Sequence, residues 1–451
     1  MTTLTHQLAD FVASAHRLNL DEAVRATVRM GFIDTVGVML AGQDEPVTRI
    51  VRQFVAANRS PLAESSVLLG PARAAARDAA LVNAAAGHAL DYDDVGLMGH
   101  PSVVLVPALL AEAERLHARG SDVIAAYVAG YEVWAELILR EQDRHHVKGW
   151  HPTAAFGVVA AASAVAALRR LDAPACRHAL GIAASMAGGL IANFGSMTKP
   201  LHAGQAAAAG IDAVNLAQLG LTASPDAIEH HAGFLAALSP AGRVERGPAA
   251  SGFGQDLRIA SLGLTVKKYP MCFATHRVID GVLDLARANA IAPGDVRRVR
   301  ATVGATQASM LRNHAPANAL EAKFSLEFAV AAALAAQRVT MQELSDAFVA
   351  RPDVQGLFKR VEIRAVDTVC PDEPSLALSD RVVIETADGR LHDSGDIFET
   401  RGNPRLPLSL AELKIKFDDC ARQAGHARAD VLFERLSRLD TLDDVASLTA
   451  D

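Results

Sequence analysis

Apolar positions run at helical spacing through most of the chain. Val24, Val28, Phe32, Val36 and Leu40 recur every fourth residue and predict a helix over 21–41, with Asp34 and Gly37 inside the pattern and Gly42 closing it. The same periodicity predicts helices over 3–18, 44–57, 73–90, 101–119, 122–139, 152–168, 173–187 and 201–218, with one short extended piece at 65–69. Near residue 260 the pattern changes. Residues 295–305, DVRRVRATVGA, alternate as a strand does. Residues 361–366 are extended, and 381–394, RVVIETADGRLHDS, reads as a hairpin turning at Asp388-Gly389. Helices over 322–337 and 340–350 are interleaved with these strands. Beyond Arg401-Gly402-Asn403-Pro404 the helical texture returns, over 409–421, 427–436 and 442–448.

These elements predict a mainly α protein. Both termini, 1–263 and 401–451, are expected to form one large all-helical domain, and 264–400 an inserted, smaller α+β lid domain. A chain of 451 residues exceeds what one core normally serves, so two domains are the natural division. Half of the residues are apolar but only 5% are aromatic, which fits helices packed through alanine and other small side chains.

Charge and cysteine content narrow the function. The net charge is −7, with acids and bases interspersed and no basic stripe, so nucleic acid is not an expected partner. Cys176, Cys272, Cys370 and Cys420 are scattered and form no C-x-x-C pair. That argues against zinc ribbons, disulfide scaffolds and cysteine-held iron–sulfur clusters, and fits a reducing cytoplasm. The opening MTTLTHQLADF has neither a basic nor an apolar leader region, so no secretory signal is expected. The most apolar run, Ala154 to Leu168, is too short to span a bilayer.

The chemistry gathers in the stretch from Asn83 to Pro107, NAAAGHALDYDDVGLMGHPSVVLVP. A small-residue helix leads into Asp91, Asp93 and Asp94, then a loop with two glycines, then His100-Pro101-Ser102. Acids and an imidazole between buried helices cost desolvation unless paired, so their purpose there is chemical. Two further stretches share the device of a basic side chain before proline, His151-Pro152 and Lys199-Pro200. Proline favours the first helical turn, so His100, His151 and Lys199 are expected at helix N-caps, whose free N–H groups suit an anion if the three converge. Taken singly, each is an ordinary helix start with a solvated side chain. Thr265 to Asp280, TVKKYPMCFATHRVID, adds Lys267, Cys272 and His276 where the texture changes. Lys267 suits a carboxylate as a point charge. Cys272 alone is better read as filler and His276 as a helix start. Lys323, in EAKFSLEF, is a salt-bridge partner or a site lysine. Asp93 and Asp94 offer no metal site with Asp91, because no second acidic cluster lies at ligand spacing. No Rossmann, P-loop, H-E-x-x-H or nucleophile-elbow pattern occurs.

GHALDYDD followed by HPS, GWHPT, KPLHAGQAAAAGIDAVNLAQLG, KKYPMC-x3-H and EAKFSLEF, in this order over nearly the whole chain, resemble the MmgE/PrpD family. That family includes 2-methylcitrate dehydratases, cis-aconitate decarboxylases and an iminodisuccinate epimerase. The resemblance implies a homodimer and cofactor-free, metal-free chemistry on a small polycarboxylate. It implies catalytic roles for Asp91, His100, His151, Lys199 and Lys267, and substrate contacts from Ser102, His202, Cys272, His276 and Lys323. Three positions depart from decarboxylase members: Cys272 replaces a histidine, Met310 or Leu311 a tyrosine, and Val95 a threonine. Dehydration of a 2-hydroxy tricarboxylate such as 2-methylcitrate therefore comes first, then epimerisation or isomerisation, then decarboxylation. A catalytically silent metabolite-binding homologue is the reading from a different class.

Overall fold

The computed structural model describes residues 3–58, 60–371, 373 and 375–449. It divides into two compact units, Met1–Thr265 with Cys420–Asp451, and Val266–Asp419.

The first unit is helical. Its elements as far as Gln218 include α1 (Leu4–Ser14), α2 (Glu22–Ala41), α3 (Pro46–Ala57), a ribbon of β1 (Ser65–Ser66) with β2 (Arg73–Ala74), α4 (Ala76–Ala89), α5 (Ser102–Leu116), α6 (Gly120–Ile138), α7 (Pro152–Ala155), α8 (Gly157–Leu168), α9 (Ala173–Ser185) and α10 (Thr198–Gln218), and the C-terminal stretch adds the helix Ala429–Ser437. Every residue of α8 is buried, as expected of a helix apolar on all sides. The 152–168 helix is broken at Phe156 into α7 and α8. Small residues let the central backbones touch. A Cβ on Gly204 of α10 would lie 2.5 Å from the Leu81 carbonyl oxygen of α4. One on Gly210 would lie 2.4 Å from the Cβ of Ala161 on α8. The alanine-rich composition is thus the means by which α10 fits tightly against α4 and α8. This packing also sets the site, because α4 ends two residues before Asp91 and Lys199 lies in the first turn of α10.

The second unit carries a four-stranded sheet in the order β4-β3-β5-β6. β3 (Val296–Gly304) runs parallel to β4 (Val361–Val366) and antiparallel to β5 (Asp380–Thr386), which pairs antiparallel with β6 (Leu391–Ile397). Gly389, at φ +83°, makes the tight β5–β6 turn. The helices His276–Ala288 and Leu326–Ala336 supply much of this unit's core. The helix expected over 340–350 is reduced to Asp346–Val349. Buried Glu343 accepts from the Thr340 N–H and hydroxyl and from Arg338, which folds the segment before it into turns. The 322–337 helix is interrupted after Ala322 and restarts at Leu326, where the Ser325 hydroxyl caps Phe328. Among the described residues no helix is long and apolar enough to cross a membrane.

Candidate active site

The loop from Leu90 to Pro101 is held at both ends and bent sharply in the middle. α4 stops at Ala89, and Asp91 takes the left-handed conformation, φ +52°, that commonly closes a helix. Aspartate tolerates that conformation better than most residues. Val95 and Thr265 exchange N–H···O bonds of 2.8 and 2.9 Å and anchor the loop. Gly96 and Gly99 likewise exchange bonds of 3.0 and 2.8 Å around Leu97 and Met98, both left-handed at φ +49° and +58°. Such a two-residue turn normally takes asparagine and glycine, so this one stores backbone strain beside the site.

The loop brings Asp91, Asp93 and His100 together with His88 from α4 and Lys199 from α10. Lys199 Nζ lies 2.7 Å from Asp91 Oδ1, and His100 Nε2 lies 3.7 Å from the same oxygen. The Asp91 side chain is one-third exposed, so its pair with Lys199 adds only about 0–1 kcal/mol to stability. Its value lies in the placement of charge. Asp93 is fully buried. Both of its oxygens lie 3.0 Å from Nδ1 of His88, and Oδ2 is also 3.0 Å from Nδ1 of His100. Burial pushes the Asp93 carboxyl up, but the imidazoles of His88 and His100 outweigh it and hold the group well below the usual carboxylate range. Burial also pushes His88 down to about 4, so it is a neutral imidazole at pH 7.

Asp94, Ser102 and Tyr127 form a second group. The Ser102 hydroxyl donates to Asp94 and lies 2.7 Å from the Tyr127 hydroxyl. Burial, with the charge of Asp34 next, raises Asp94 well above the usual carboxylate range. Burial likewise raises Tyr127. Ser102 is fully buried, with its hydroxyl committed to this network.

His151 and His202 form a third group. Their Nδ1 atoms are 3.1 Å apart, so one ring donates to the other. Burial, followed by the charges of neighbouring imidazoles and Lys199, depresses His151 strongly; burial and Lys199 lower His202. The rings run on from His100: His100 to His88 is 4.5 Å between centroids, His88 to His151 6.0 Å and His151 to His202 5.4 Å. Phe194 packs edge-on to His151 at 4.9 Å and lies under Lys199 Nζ at 5.2 Å. His202 also lines a groove of 740 Å³ with Gln205, Arg77, Leu81 and Met186. A larger cavity of 820 Å³, beside Arg115 and Arg169, is less suited to an anion because both arginines already pair with Glu112.

Of the three expected N-caps, His151 alone holds that position. His100 precedes the cap of α5, which is Pro101, and Lys199 lies inside the first turn of α10, capped by Met197. Proline at the third helical position is as harmless as at the first, since the N–H it lacks has no partner in either place. The N-terminus of α5 is occupied by the protein's own Asp94, whose Oδ1 accepts from Ser102 N–H at 3.3 Å. It is therefore no open anion site.

Lys267, Cys272, His276 and Lys323 gather within the second unit. The Cys272 N–H donates to the Lys323 carbonyl at 3.0 Å, and His276 Nε2 lies 3.3 Å from the Met271 carbonyl. Lys267 is buried, and Lys416 donates to its carbonyl at 2.7 Å. Burial, followed by the charge of Lys267, pushes His276 down to about 3.

His88 is not marked by spacing, and Asp93 was considered only as a metal ligand, though both stand in GHALDYDD. The carboxylate nearest to His100 is Asp93, at 3.0 Å, rather than Asp91, at 3.7 Å. Among the described residues His88, Asp91, Asp93 and His100 are also the one set with donor atoms mutually within 4.8 Å, as a metal ion would need. The Lys199 ammonium at 2.7 Å from Asp91 brings a positive charge to that set and opposes a second cation there.

A mainly helical scaffold here presents carboxylate, imidazole and ammonium groups together, the residue types of acid–base chemistry. The chain belongs to the MmgE/PrpD family, an enzyme family: residues 6–246 match the MmgE/PrpD N-terminal domain and 269–439 the MmgE/PrpD C-terminal domain. It is 28% identical to a human cis-aconitate decarboxylase over 97% of this chain and 93% of that one. The mouse cis-aconitate decarboxylase is 28% identical over 95% and 89% of the two chains, and that of Aspergillus terreus 27% over 84% and 81%.

Proposed function

We propose that the protein is a lyase for a small di- or tricarboxylate and acts through a carbanion formed next to a carboxylate. The observation that carries this reading is the convergence of Asp91, His100 and Lys199. A carbanion beside a carboxylate puts charge on the carboxylate oxygens, which a fixed ammonium stabilises. In this reading Lys199 holds that charge and His100 takes the proton from carbon. Asp91 keeps Lys199 and His100 in place. The His151–His202 pair, two rings away, returns a proton to the leaving group. The catalytic role of Lys267 and the roles of Cys272, His276 and Lys323 as substrate contacts rest on the family resemblance, as does the homodimer; the cytoplasmic location rests on the scattered cysteines.

Two reactions pass through such an intermediate: in elimination, proton removal forms it and loss of the hydroxyl as water consumes it; in decarboxylation, loss of CO2 forms it and a proton delivered to carbon consumes it. Elimination of water from a 2-hydroxy tricarboxylate such as 2-methylcitrate needs a base and a separate acid, and two titratable centres support it. Decarboxylation is the second reading, favoured by the relatives named for cis-aconitate decarboxylation. Carboxyl-labelled substrates separate them. Released CO2 from cis-aconitate assigns decarboxylation. A new vinyl product from 2-methylcitrate, without CO2, assigns dehydration. Ligand binding without either product, unchanged by His151→Ala, overturns both in favour of a binding protein.

A further inference from the structure

Asp93 touches two imidazoles and has no role in the mechanism above. A carboxylate and a carbonyl only accept hydrogen bonds. Nδ1 of His100 faces two such acceptors, Asp93 Oδ2 at 3.0 Å and the Asp94 carbonyl at 2.9 Å, so it must carry the hydrogen. Nε2 is then the bare nitrogen, on the side of Asp91. Nδ1 of His88 faces both oxygens of Asp93 at 3.0 Å and carries a hydrogen for the same reason. Its Nε2 is left buried with no hydrogen-bond partner. An orphaned buried acceptor is an unfavourable arrangement unless the other end of the ring is needed where it is. That other end holds Asp93 from the side opposite His100.

We infer that Asp93, buttressed by His88, is the positioning residue for His100: it fixes the ring with Nδ1 protonated and Nε2 free, and it stabilises the imidazolium formed when His100 takes a proton. The kinetic part of this inference rests on the role of His100 proposed above; the tautomer does not. Asp91 is the less suited carboxylate. It lies 3.7 Å from the opposite nitrogen, is partly exposed, and is already paired with Lys199.

The test is nitrogen-15 NMR of the ligand-free, histidine-labelled protein, with His100 assigned by its loss in His100→Gln. The wild type should show His100 protonated at Nδ1, with a strongly deshielded proton, and bare at Nε2. That proton should move upfield in Asp93→Asn and stay in Asp91→Asn. Asp93→Asn keeps the shape but removes the charge, so kcat should fall about 10³- to 10⁴-fold with KM within a few-fold, as when a buried carboxylate behind a catalytic histidine is neutralised. A wild-type His100 protonated at Nε2 overturns the inference, and so does an Asp93→Asn enzyme with wild-type kcat. If Asp93→Asn does not fold, the wild-type tautomer decides alone. If no polycarboxylate is turned over by wild type, the proposed function fails while the NMR result still stands or falls on its own.

Discussion

Lys199 Nζ lies 2.7 Å from Asp91 Oδ1, across 108 residues of sequence. The contact exists because α4 and α10 pack backbone to backbone, so that the end of one helix meets the start of the other. Lys199→Ala should lower kcat/KM by about 10²- to 10³-fold, the usual cost of one lost donor to a developing anion. The partly exposed ion pair contributes little stability, so the melting temperature should barely move. Steady-state kinetics with a parallel thermal melt checks both. Loss of activity together with a large drop in melting temperature would point to a structural role.

Helix separation is the next link. Gly204→Ala places a Cβ 2.5 Å from the Leu81 carbonyl oxygen, a backbone atom that cannot step aside. Overpacking of this kind costs about 1–3 kcal/mol. Because α10 also carries Lys199, activity should fall beyond what the lost stability explains. Urea denaturation and kinetics on the folded variant measure the two effects separately.

The strained turn predicts a gain instead. Replacing Leu97 by Asn and Met98 by Gly gives the pair that left-handed two-residue turns favour. Relief of two left-handed non-glycine residues should stabilise the protein by about 1–2 kcal/mol. Met98 is 40% exposed, so little packing is lost. An unchanged or lower denaturation midpoint would mean that the turn is not strained.

Buried imidazoles make stability depend on pH. His276 is neutral above pH 6.5 in both folded and unfolded chains. Below that the unfolded chain binds a proton that the folded one refuses until about pH 3. Stability due to this group is therefore lost as pH falls from 6.5 towards 3, by about 1.4 kcal/mol for each unit. His276→Gln should lack this component, so the gap between wild type and variant should shift in the variant's favour from pH 7 to pH 4.5. Denaturation curves at those two pH values test it; a gap independent of pH contradicts it.

Much of the site was legible in the sequence because its groups are marked by composition. Acids among alanines, and histidine or lysine before proline, are costly in a helical core and stand out. What spacing does not show is direction. Asp91, Asp93 and Asp94 are near-neighbours, yet one faces Lys199, one clamps two imidazoles and one accepts from Ser102 at the start of α5. Those differences arise from the left-handed turn at Asp91 and from the burial of the loop. His88 was missed because a histidine on the last turn of an alanine-rich helix looks like a helix end. The helix starts at His100 and Lys199 were misplaced because proline is tolerated anywhere in the first turn.

The most direct test of the central claim is proton NMR of substrates incubated with the enzyme in D2O with a chelator present. The panel is 2-methylcitrate, citrate, cis-aconitate and iminodisuccinate. The account predicts that at least one substrate exchanges or loses hydrogen at the carbon next to a carboxylate, that His100→Gln abolishes this and that Lys199→Ala slows it by about 10²- to 10³-fold. No deuterium and no product from any of them, with wild type and both variants alike, would contradict it.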